Sequence, residues 1–184
     1  MTYPSDPHWA NVKFLLLFNG VNGNKRIPDE KGNRWTVGSS AVLSSTKKKY
    51  GDTSLYCNGD GNSYLSLSNT WTRGVPDITI EAWVYAQTQV ASSPQIITHA
   101  STFAMGFSGT THTNKFYVVI DGVYLVATVE SSLDAWHHVA FTRVGITGAI
   151  KLFVDGVEAA STVNSSSVNI TATTTIGANN FIGY

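Results

Sequence analysis

Two Asp-Gly dipeptides, set between runs of β-branched and aromatic residues, constrain the fold of this chain most. One is Asp121-Gly122 in VVIDGVYLV and the other is Asp155-Gly156 in LFVDGVEAA. Asp-Gly supplies the positive φ values that a two-residue type I′ turn needs, and such turns join antiparallel strands. The sequence therefore predicts two tight hairpins and a sheet of antiparallel neighbours.

Strand-like runs recur along the rest of the chain, and turn-rich segments such as NGDGNS, GITGA and NSSSVN separate them. No window of helical length carries a convincing 3.6-residue apolar period, and the abundance of Ser, Thr, Gly, Asn and Val favours strands and turns. These features predict an all-β fold of two antiparallel sheets packed face to face. The predicted strands are Val12–Phe18, Ser54–Cys57, Tyr64–Leu67, Ile78–Tyr85, Gln95–His99, Ala104–Phe107, Lys115–Ile120, Tyr124–Val129, Trp136–Arg143, Ile150–Val154, Val157–Ala160 and Thr173–Ile176.

The charge balance argues against several classes of partner. The chain has 12 basic and 12 acidic residues, whereas a nucleic-acid binder usually presents a basic face. Its one basic run, Lys47–Lys49, is interpreted as a solvated turn, with a weak polyanion contact as the alternative. No stretch approaches the length of a membrane span, and the N-terminus lacks the features of a secretory signal. We therefore expect neither nucleic-acid binding nor membrane insertion.

The histidine pair in DAWHHVAFTR invites a metal-binding interpretation that strand geometry opposes. Side chains alternate between the two faces of a strand, so His137 shares a face with Val139 and Phe141, while His138 points to the other side. The two imidazoles therefore cannot bind one metal from a regular strand. We expect His137 to be a hydrogen-bonded residue of the core or its edge. His138 is expected to make a cross-strand polar contact, with ligand contact as the alternative.

The stretch DAWHHVAFTRVGITGAIKLFVDGV closely resembles the laminin-G-like jelly rolls of the concanavalin A-like lectin/glucanase superfamily. VKFLLLFNG, KKYGDTSLYCNGDGNSYLSL, DITIEAWVY and TTTIGAN resemble other family segments in the family's order, and together they cover most of residues 11–182. The opening, DPHWANVKFLLLFNG, resembles versions found in bacteriophage structural proteins. The resemblance implies a two-sheet antiparallel jelly-roll sandwich over residues 11–184, preceded by an N-terminal arm of residues 1–10.

The chain departs from the family pattern at its end. After an FxGY-like segment, here Phe181–Tyr184, the family continues with a strand of IDEVRI type that lies inside a sheet beside the first strand. We therefore expect a sandwich that lacks its last strand, which would leave a gap or an unpaired edge. The favoured explanation is that the sequence is a fragment of a longer chain. The alternative is that a neighbouring chain donates the strand.

Hydrolase activity is not expected, although the superfamily includes glucan hydrolases. Glycoside hydrolysis usually needs two carboxylates that flank the scissile bond. The hydrolase branch carries them in a pattern like E-x-D-x-x-E, but here Glu81 is followed by Trp83 and Ala86 at the corresponding positions. The sequence nominates no second acid. We therefore predict no catalytic residues and a protein that is not an enzyme.

Carbohydrate binding is what the resemblance implies for the exposed aromatic residues. Sugars stack on aromatic rings while their hydroxyl groups take polar partners. The alternative is that these aromatic side chains pack inward or against a neighbouring subunit. The candidate ligand-binding residues are Trp71, Glu81, Trp83, Tyr85, His138 and Phe153.

Calcium is the one cofactor that the sequence suggests. Several members of the family hold Ca²⁺ at the rim of the sandwich with hard oxygen ligands. Such oxygens occur here in NGDGNS, at Asn58, Asp60 and Asn62, and in GANN, at Asn179 and Asn180. The EF-hand pattern fails because no Glu follows at the required distance. The alternative is a tight Gly-rich hairpin without a metal.

Two functions follow as expectations. The first is a non-catalytic structural or decoration protein of a phage particle, assembled in the host cytoplasm. Its partners would be other virion proteins or copies of the same chain. The alternative is a glycan- or receptor-binding adhesion module, working outside the cell with a host surface glycan as its partner and depending on Ca²⁺.

Overall fold

The computed structural model describes residues 6–68, 77–88, 94–99, 102–109, 111–145, 148–164, 173–178 and 182–184. These residues form fourteen strands and one short 3₁₀ helix, Trp9–Asn11, which confirms the all-β prediction. No helix in this part of the chain is long and apolar enough to cross a membrane. The strands are β1 Thr36–Val37, β2 Val42–Ser44, β3 Ser54–Asn58, β4 Leu65–Ser68, β5 Ile78–Tyr85, β6 Gln95–His99, β7 Phe103–Ser108, β8 Lys115–Ile120, β9 Val123–Val126, β10 Trp136–Val144, β11 Ala149–Val154, β12 Val157–Val163, β13 Thr173–Ala178 and β14 Ile182–Gly183.

The strands build two facing layers of antiparallel sheet. One layer has the order β1-β4-β13-β6-β7-β8-β9. The other has the order β12-β11-β10-β5, and the short sheet β14-β3-β2 continues it. The end of β5 joins these two sheets through β14. Ala86 forms an antiparallel bridge with Gly183, and Tyr85 and Tyr184 donate backbone hydrogen bonds to each other. The predicted sandwich is therefore confirmed, with β14 as the link inside the second layer.

Both predicted Asp-Gly hairpins are present. Asp121 and Gly122 have φ values of 48° and 78° and join β8 to β9. Asp155 and Gly156 have φ values of 52° and 80° and join β11 to β12. The positive φ values at both central positions match the requirement of the type I′ turn.

The core lies between the two layers and follows the predicted alternation. In β10, His137, Val139 and Phe141 are buried, and in β11 every second residue from Ile150 to Val154 is buried. The largest fully buried side chains are Phe107, Phe116 and Phe141, which come from both layers. Cys57 is buried, and burial raises the pKa of its thiol to about 12.

Two strand predictions were wrong in their extent. Val12–Phe18 was predicted as the first strand, but only Leu16 makes an isolated bridge, to Asp29. The backbone of Leu15 bonds instead to the Asp29 carboxylate and to the amide of Glu30. The strand predicted at Tyr124–Val129 ends at Val126. The sequence also did not reveal β1, β2 and β14, because two or three residues are too few to show alternation.

His99 makes the stability of the fold dependent on pH. It is buried between β6 and β13 with its Nδ1 3.0 Å from Thr174 Oγ1, and burial lowers its pKa. A histidine with a lowered folded-state pKa binds its proton more readily in the unfolded chain. Its contribution to stability is therefore full above the unfolded pKa of about 6.5 and is lost as the pH falls below it.

We expect the free energy of unfolding, measured in urea, to fall between pH 7.5 and pH 5. The His99→Gln variant should show a smaller fall over the same range, even if it is less stable at every pH. Parallel curves for the two proteins would contradict this assignment.

Candidate functional site

An exposed aromatic cluster lies on the outer face of the layer that contains β5 and β10. Glu81 and Trp83 of β5 point away from the core, and His138 of β10 lies directly across from Trp83. Lys49 and Tyr50, from the loop that precedes β3, complete this surface. We call these five residues the Trp83 cluster.

The members of the Trp83 cluster contact one another through their rings and charges. The ammonium group of Lys49 lies 3.9 Å from the centroid of the Trp83 ring, and the ring of Tyr50 meets Trp83 edge-on at 6.0 Å. The ring of His138 is 5.2 Å from that of Trp83, and its Nε2 is 3.6 Å from Glu81 Oε2. Trp83 is 37% exposed and Tyr50 is 67% exposed. The cluster thus offers aromatic surface beside one cation, one carboxylate and one imidazole.

The loop that carries Lys49 and Tyr50 is held in place by Gly51 and Asn19. Gly51 has a φ of 66°, and a Cβ atom there would lie 2.8 Å from the side chain of Asn19. The Oδ1 atom of Asn19 accepts a hydrogen bond from the amide of Asp52. Because both the positive φ and the close approach favour glycine, this turn fixes how the loop meets β5.

Three predicted ligand-binding residues do not belong to the Trp83 cluster. Tyr85 is only 7% exposed, because Trp136, Tyr184 and Lys47 pack against its ring, as in the alternative of inward packing. Phe153 is half-buried on the same face, across from Ala140 and one strand farther from β5. Trp71 lies outside the described residues.

Glu81 has no carboxylate among its neighbours in the sheet. Ala140 lies directly across from it on β10, and Thr79 and Trp83 flank it on the same face of β5. Its contact with His138 is a weak ion pair at 3.6 Å between side chains that are both partly exposed. Among the described neighbours of Glu81 in the sheet there is no second acid of the kind that glycoside hydrolysis uses.

The candidate calcium loop is closed by its own hydrogen bonds. The carboxylate of Asp60 accepts bonds from the Ser40 hydroxyl, the Asn58 side-chain amide and the Asn62 backbone. The bond from Ser40, followed by that from Asn62, lowers the pKa of Asp60. Asn179 and Asn180 lie outside the described residues. Within the described part of the chain, no group of three or more His, Cys, Asp or Glu residues could hold a metal ion.

His137 lies in a Ser-His-Asp arrangement that serves to anchor the chain. Its Nδ1 is 2.7 Å from Asp155 Oδ2, and its Nε2 is 3.0 Å from the carbonyl oxygen of Ser132 and 3.1 Å from the Ser132 hydroxyl. Both ring nitrogens therefore contact groups from other segments, and the tautomer of the ring decides which of them donates. The side chain therefore joins the loop before β10 to the β11–β12 turn, as the predicted hydrogen-bonded core residue would.

Asp155 completes this anchor. Its burial would raise its pKa, but the hydrogen bonds from His137 and from the amide of His138 outweigh that effect and hold the pKa below its usual value. The carboxylate is therefore ionised at neutral pH and keeps both bonds.

The sequence interpretation missed Lys47, Lys49 and Tyr50. The basic run was assigned to a solvated turn, whereas Lys47 and Lys49 place their ammonium groups over Tyr85 and Trp83. The signal that could have revealed this is the tyrosine that follows the three lysines directly, before Gly51. Basic and aromatic side chains on one turn commonly form cation–π contacts.

The chain matches one protein family over most of its length. A laminin-G-type family model, described as the concanavalin A-like lectin/glucanases superfamily, matches residues 58–184. The matched region begins at the last residue of β3 and includes Glu81, Trp83 and His138. No curated protein matches the chain.

Several solved structures share the fold. Domain 4 of AbnA, an extracellular arabinanase from Geobacillus stearothermophilus in complex with arabinotriose, has a TM-score of 0.64 and 19% identity; the match covers 84% of this chain and 81% of that one. The binding domain of botulinum neurotoxin DC, in complex with SialylT, has a TM-score of 0.62 and 13% identity, over 89% of this chain and 42% of that one. Domains LG4-5 of the mouse laminin alpha1 chain give 0.52 and 16%, over 70% and 38%. Identities this low show the fold alone.

Proposed function

Because this chain belongs to the concanavalin A-like lectin/glucanase superfamily, we propose that it is a non-catalytic carbohydrate-binding module. Its ligand would lie on the Trp83 cluster. The observation that carries this proposal is an exposed tryptophan bordered by Tyr50, Lys49, Glu81 and His138 on the outer face of the sheet.

The chemistry of the cluster suits a sugar ring. The C–H groups of a pyranose or furanose pack against an aromatic surface, and its hydroxyl groups need donors and acceptors at the rim. Trp83 and Tyr50 offer the surface, and the carboxylate of Glu81 accepts from hydroxyl groups. The ammonium group of Lys49 donates hydrogen bonds. It can turn from the Trp83 ring to a ligand because Lys49 is exposed to solvent. The stacking of rings and charges holds these groups in place before a ligand arrives.

Two of the structural neighbours support the proposal by their ligands. Domain 4 of AbnA is in complex with arabinotriose, and the neurotoxin binding domain is in complex with SialylT. Their likeness to this chain is one of fold, so it supports a binding module as a class and leaves the sugar to experiment. Glu81, without a neighbouring acid in its sheet, fits a binding role better than a hydrolytic one.

We expect Trp83→Ala to weaken carbohydrate binding. A glycan screen that includes arabinan oligosaccharides would identify a ligand, and calorimetry would then compare the variants. Removal of the ring should weaken the affinity by about tenfold or more, since a buried aromatic contact contributes about 1–3 kcal/mol. Tyr124→Ala is the control, because Tyr124 is also an exposed aromatic residue, at 62%, but lies on the other layer. Unchanged affinity of Trp83→Ala for the carbohydrate would exclude the Trp83 cluster as its binding site.

Calcium binding at the Asn58–Asn62 loop has a separate test. Because the Asp60 oxygens already accept three hydrogen bonds, we expect the loop to be formed without a metal. Added Ca²⁺ or a chelator should then leave both the melting temperature and the affinity for a sugar unchanged. A rise in melting temperature with Ca²⁺, but not with Mg²⁺, that is lost in Asp60→Asn would instead establish a calcium site and a calcium-dependent module.

A structural or decoration role on a phage particle is the second proposal. Its support is the exposed Val163 at one end of β12, which lies near the exposed Val144 of β10 at the same end of the layer. Exposed valines at the border of a sheet suit contact with other virion proteins or copies of this chain. Sedimentation of the purified chain tests the latter, since a monomer at all concentrations would oppose self-association through this edge.

A further inference from the structure

A second aromatic ring lies on the same outer face as the Trp83 cluster. Phe153 of β11 is partly exposed, and it points away from the core because its neighbours Leu152 and Val154 are buried. Ala140 of β10 lies directly across from Phe153 on one side and from Glu81 of β5 on the other. Phe153 and the Trp83 cluster therefore belong to one surface, which three neighbouring strands form.

The surroundings of Phe153 repeat those of Trp83. Lys151 precedes Phe153 by two positions on the same face of β11, and Glu158 of β12 lies directly across from the ring. The Nζ atom of Lys151 is 2.7 Å from Glu158 Oε2. Trp83 likewise has a carboxylate two positions before it and an imidazole directly across the sheet, and these two groups also contact each other. The outer face thus carries the same arrangement twice: an aromatic ring beside a basic group and a carboxylate.

A β-bulge in β12 places Glu158 beside Phe153. Leu152 pairs with Ala160, but the next residue of β11, Phe153, pairs with Glu158, so β12 carries one extra residue, Ala159. In a regular ladder Ala159 would lie across from Phe153 and would put a methyl group on the outer face. Ala159 is instead only 6% exposed and packs in the core. Bulges re-aim side chains in this way at sheet edges and next to functional sites, and here the result is a carboxylate beside the ring.

The two rings are too far apart for a single sugar to contact both. Two strand spacings of about 4.8 Å and a two-residue step of about 6.8 Å put the Cα atoms of Trp83 and Phe153 about 12 Å apart. One sugar ring does not reach across this distance, whereas a chain of about three sugars does. Ala140 lies beside the path between the rings, and its small side chain leaves that path open.

We propose that this face binds an oligosaccharide chain, with one sugar at the Trp83 cluster and another at a second subsite formed by Phe153, Lys151 and Glu158. The proposal rests on the carbohydrate-binding function proposed above and narrows the ligand to a stretch of about three or more linked sugars. Each subsite offers an aromatic surface to the C–H groups of a sugar and a donor and an acceptor to its hydroxyl groups.

Two linked subsites predict how the affinity depends on the length of the ligand. A short ligand reaches one ring only. Once the chain is long enough to reach both, the second contact forms within the complex, at the high effective concentration that the linkage provides. The affinity should therefore rise sharply over a narrow range of lengths and change little for longer chains.

Calorimetry with linear arabinose, xylose, mannose and glucose oligosaccharides of one to six sugars tests the proposal on the purified chain. For the series that binds, we expect the affinity to rise by about tenfold or more between the disaccharide and the tetrasaccharide. From the tetrasaccharide to the hexasaccharide it should change by less than about threefold, since no further subsite is filled.

The Phe153→Ala variant locates the second subsite. It should lower the affinity for the tetrasaccharide by about tenfold and leave that for the disaccharide unchanged, because the larger ring of Trp83 holds the shorter ligand. The unchanged affinity for the disaccharide also shows that the variant is folded. Trp83→Ala should weaken the binding of both ligands, and Tyr124→Ala, on the other layer, should weaken neither.

The possible results separate this proposal from the carbohydrate-binding function on which it rests. Equal affinities for the disaccharide and the tetrasaccharide would overturn the second subsite alone. So would a Phe153→Ala variant that binds the tetrasaccharide as the unchanged chain does, or one that loses both ligands equally. The absence of binding by every oligosaccharide would overturn both proposals.

Discussion

Replacing Phe107 with alanine is expected to lower the free energy of unfolding by about 3–5 kcal/mol. Phe107 lies in β7, is completely buried, and meets Phe116 of β8 edge-on at 4.9 Å. The substitution removes the apolar surface of the ring and leaves a cavity between strands that are held by their own ladders on both sides. Because those ladders limit collapse, the loss should fall in the upper part of the range for such changes.

Urea denaturation followed by tryptophan fluorescence would measure this loss. Tyr124→Ala is the control, since Tyr124 is mostly exposed on β9 and should change the free energy of unfolding by less than about 0.5 kcal/mol. A loss below about 1 kcal/mol for Phe107→Ala would contradict the placement of its ring in a tightly packed core.

Replacing His137 with alanine is expected to cost about 2–3 kcal/mol, because the side chain is buried and bonds a carboxylate. The substitution frees Asp155 and the carbonyl group of Ser132 and opens a space beside Phe116. His138→Ala should cost less than about 0.5 kcal/mol, since His138 lies on the outer face with a weak partner.

Comparison of His137→Ala with His138→Ala distinguishes a structural role of His137 from metal binding by both histidines. Both unfolding curves should be unchanged by a chelator. Equal losses in the two variants that depend on added metal would contradict the assignment of opposite faces. In Asp155→Asn, the loss should be smaller than in His137→Ala, because the amide oxygen can still accept from His137.

The parts of the fold that depend on local sequence could be predicted. The turns at Asp121-Gly122 and Asp155-Gly156 need positive φ values that few dipeptides supply, so they stood out without a structure. The alternation in β10 placed His137 and His138 on opposite faces, because it depends only on the pleat of a strand.

The site depended on contacts between distant segments, which no local pattern reveals. Trp83 becomes part of a cluster because the loop at Lys49 and Tyr50 folds onto β5. Tyr85 is a candidate on the same face of β5, but Tyr184 and Lys47 cover its ring. The segment at Val12–Phe18 has the composition of a strand, yet a strand also needs a neighbour, and Leu16 bridges only to Asp29.

Chemical labelling of the single cysteine can measure how often the contact between β3 and β14 opens. Cys57 pairs with Gly183, and its sulfur lies against Gly177. Burial raises the pKa of the thiol to about 12, so at pH 7 an alkylating reagent reacts with the closed form at a negligible rate. The labelling rate therefore reports how often the contact between β3 and β14 opens.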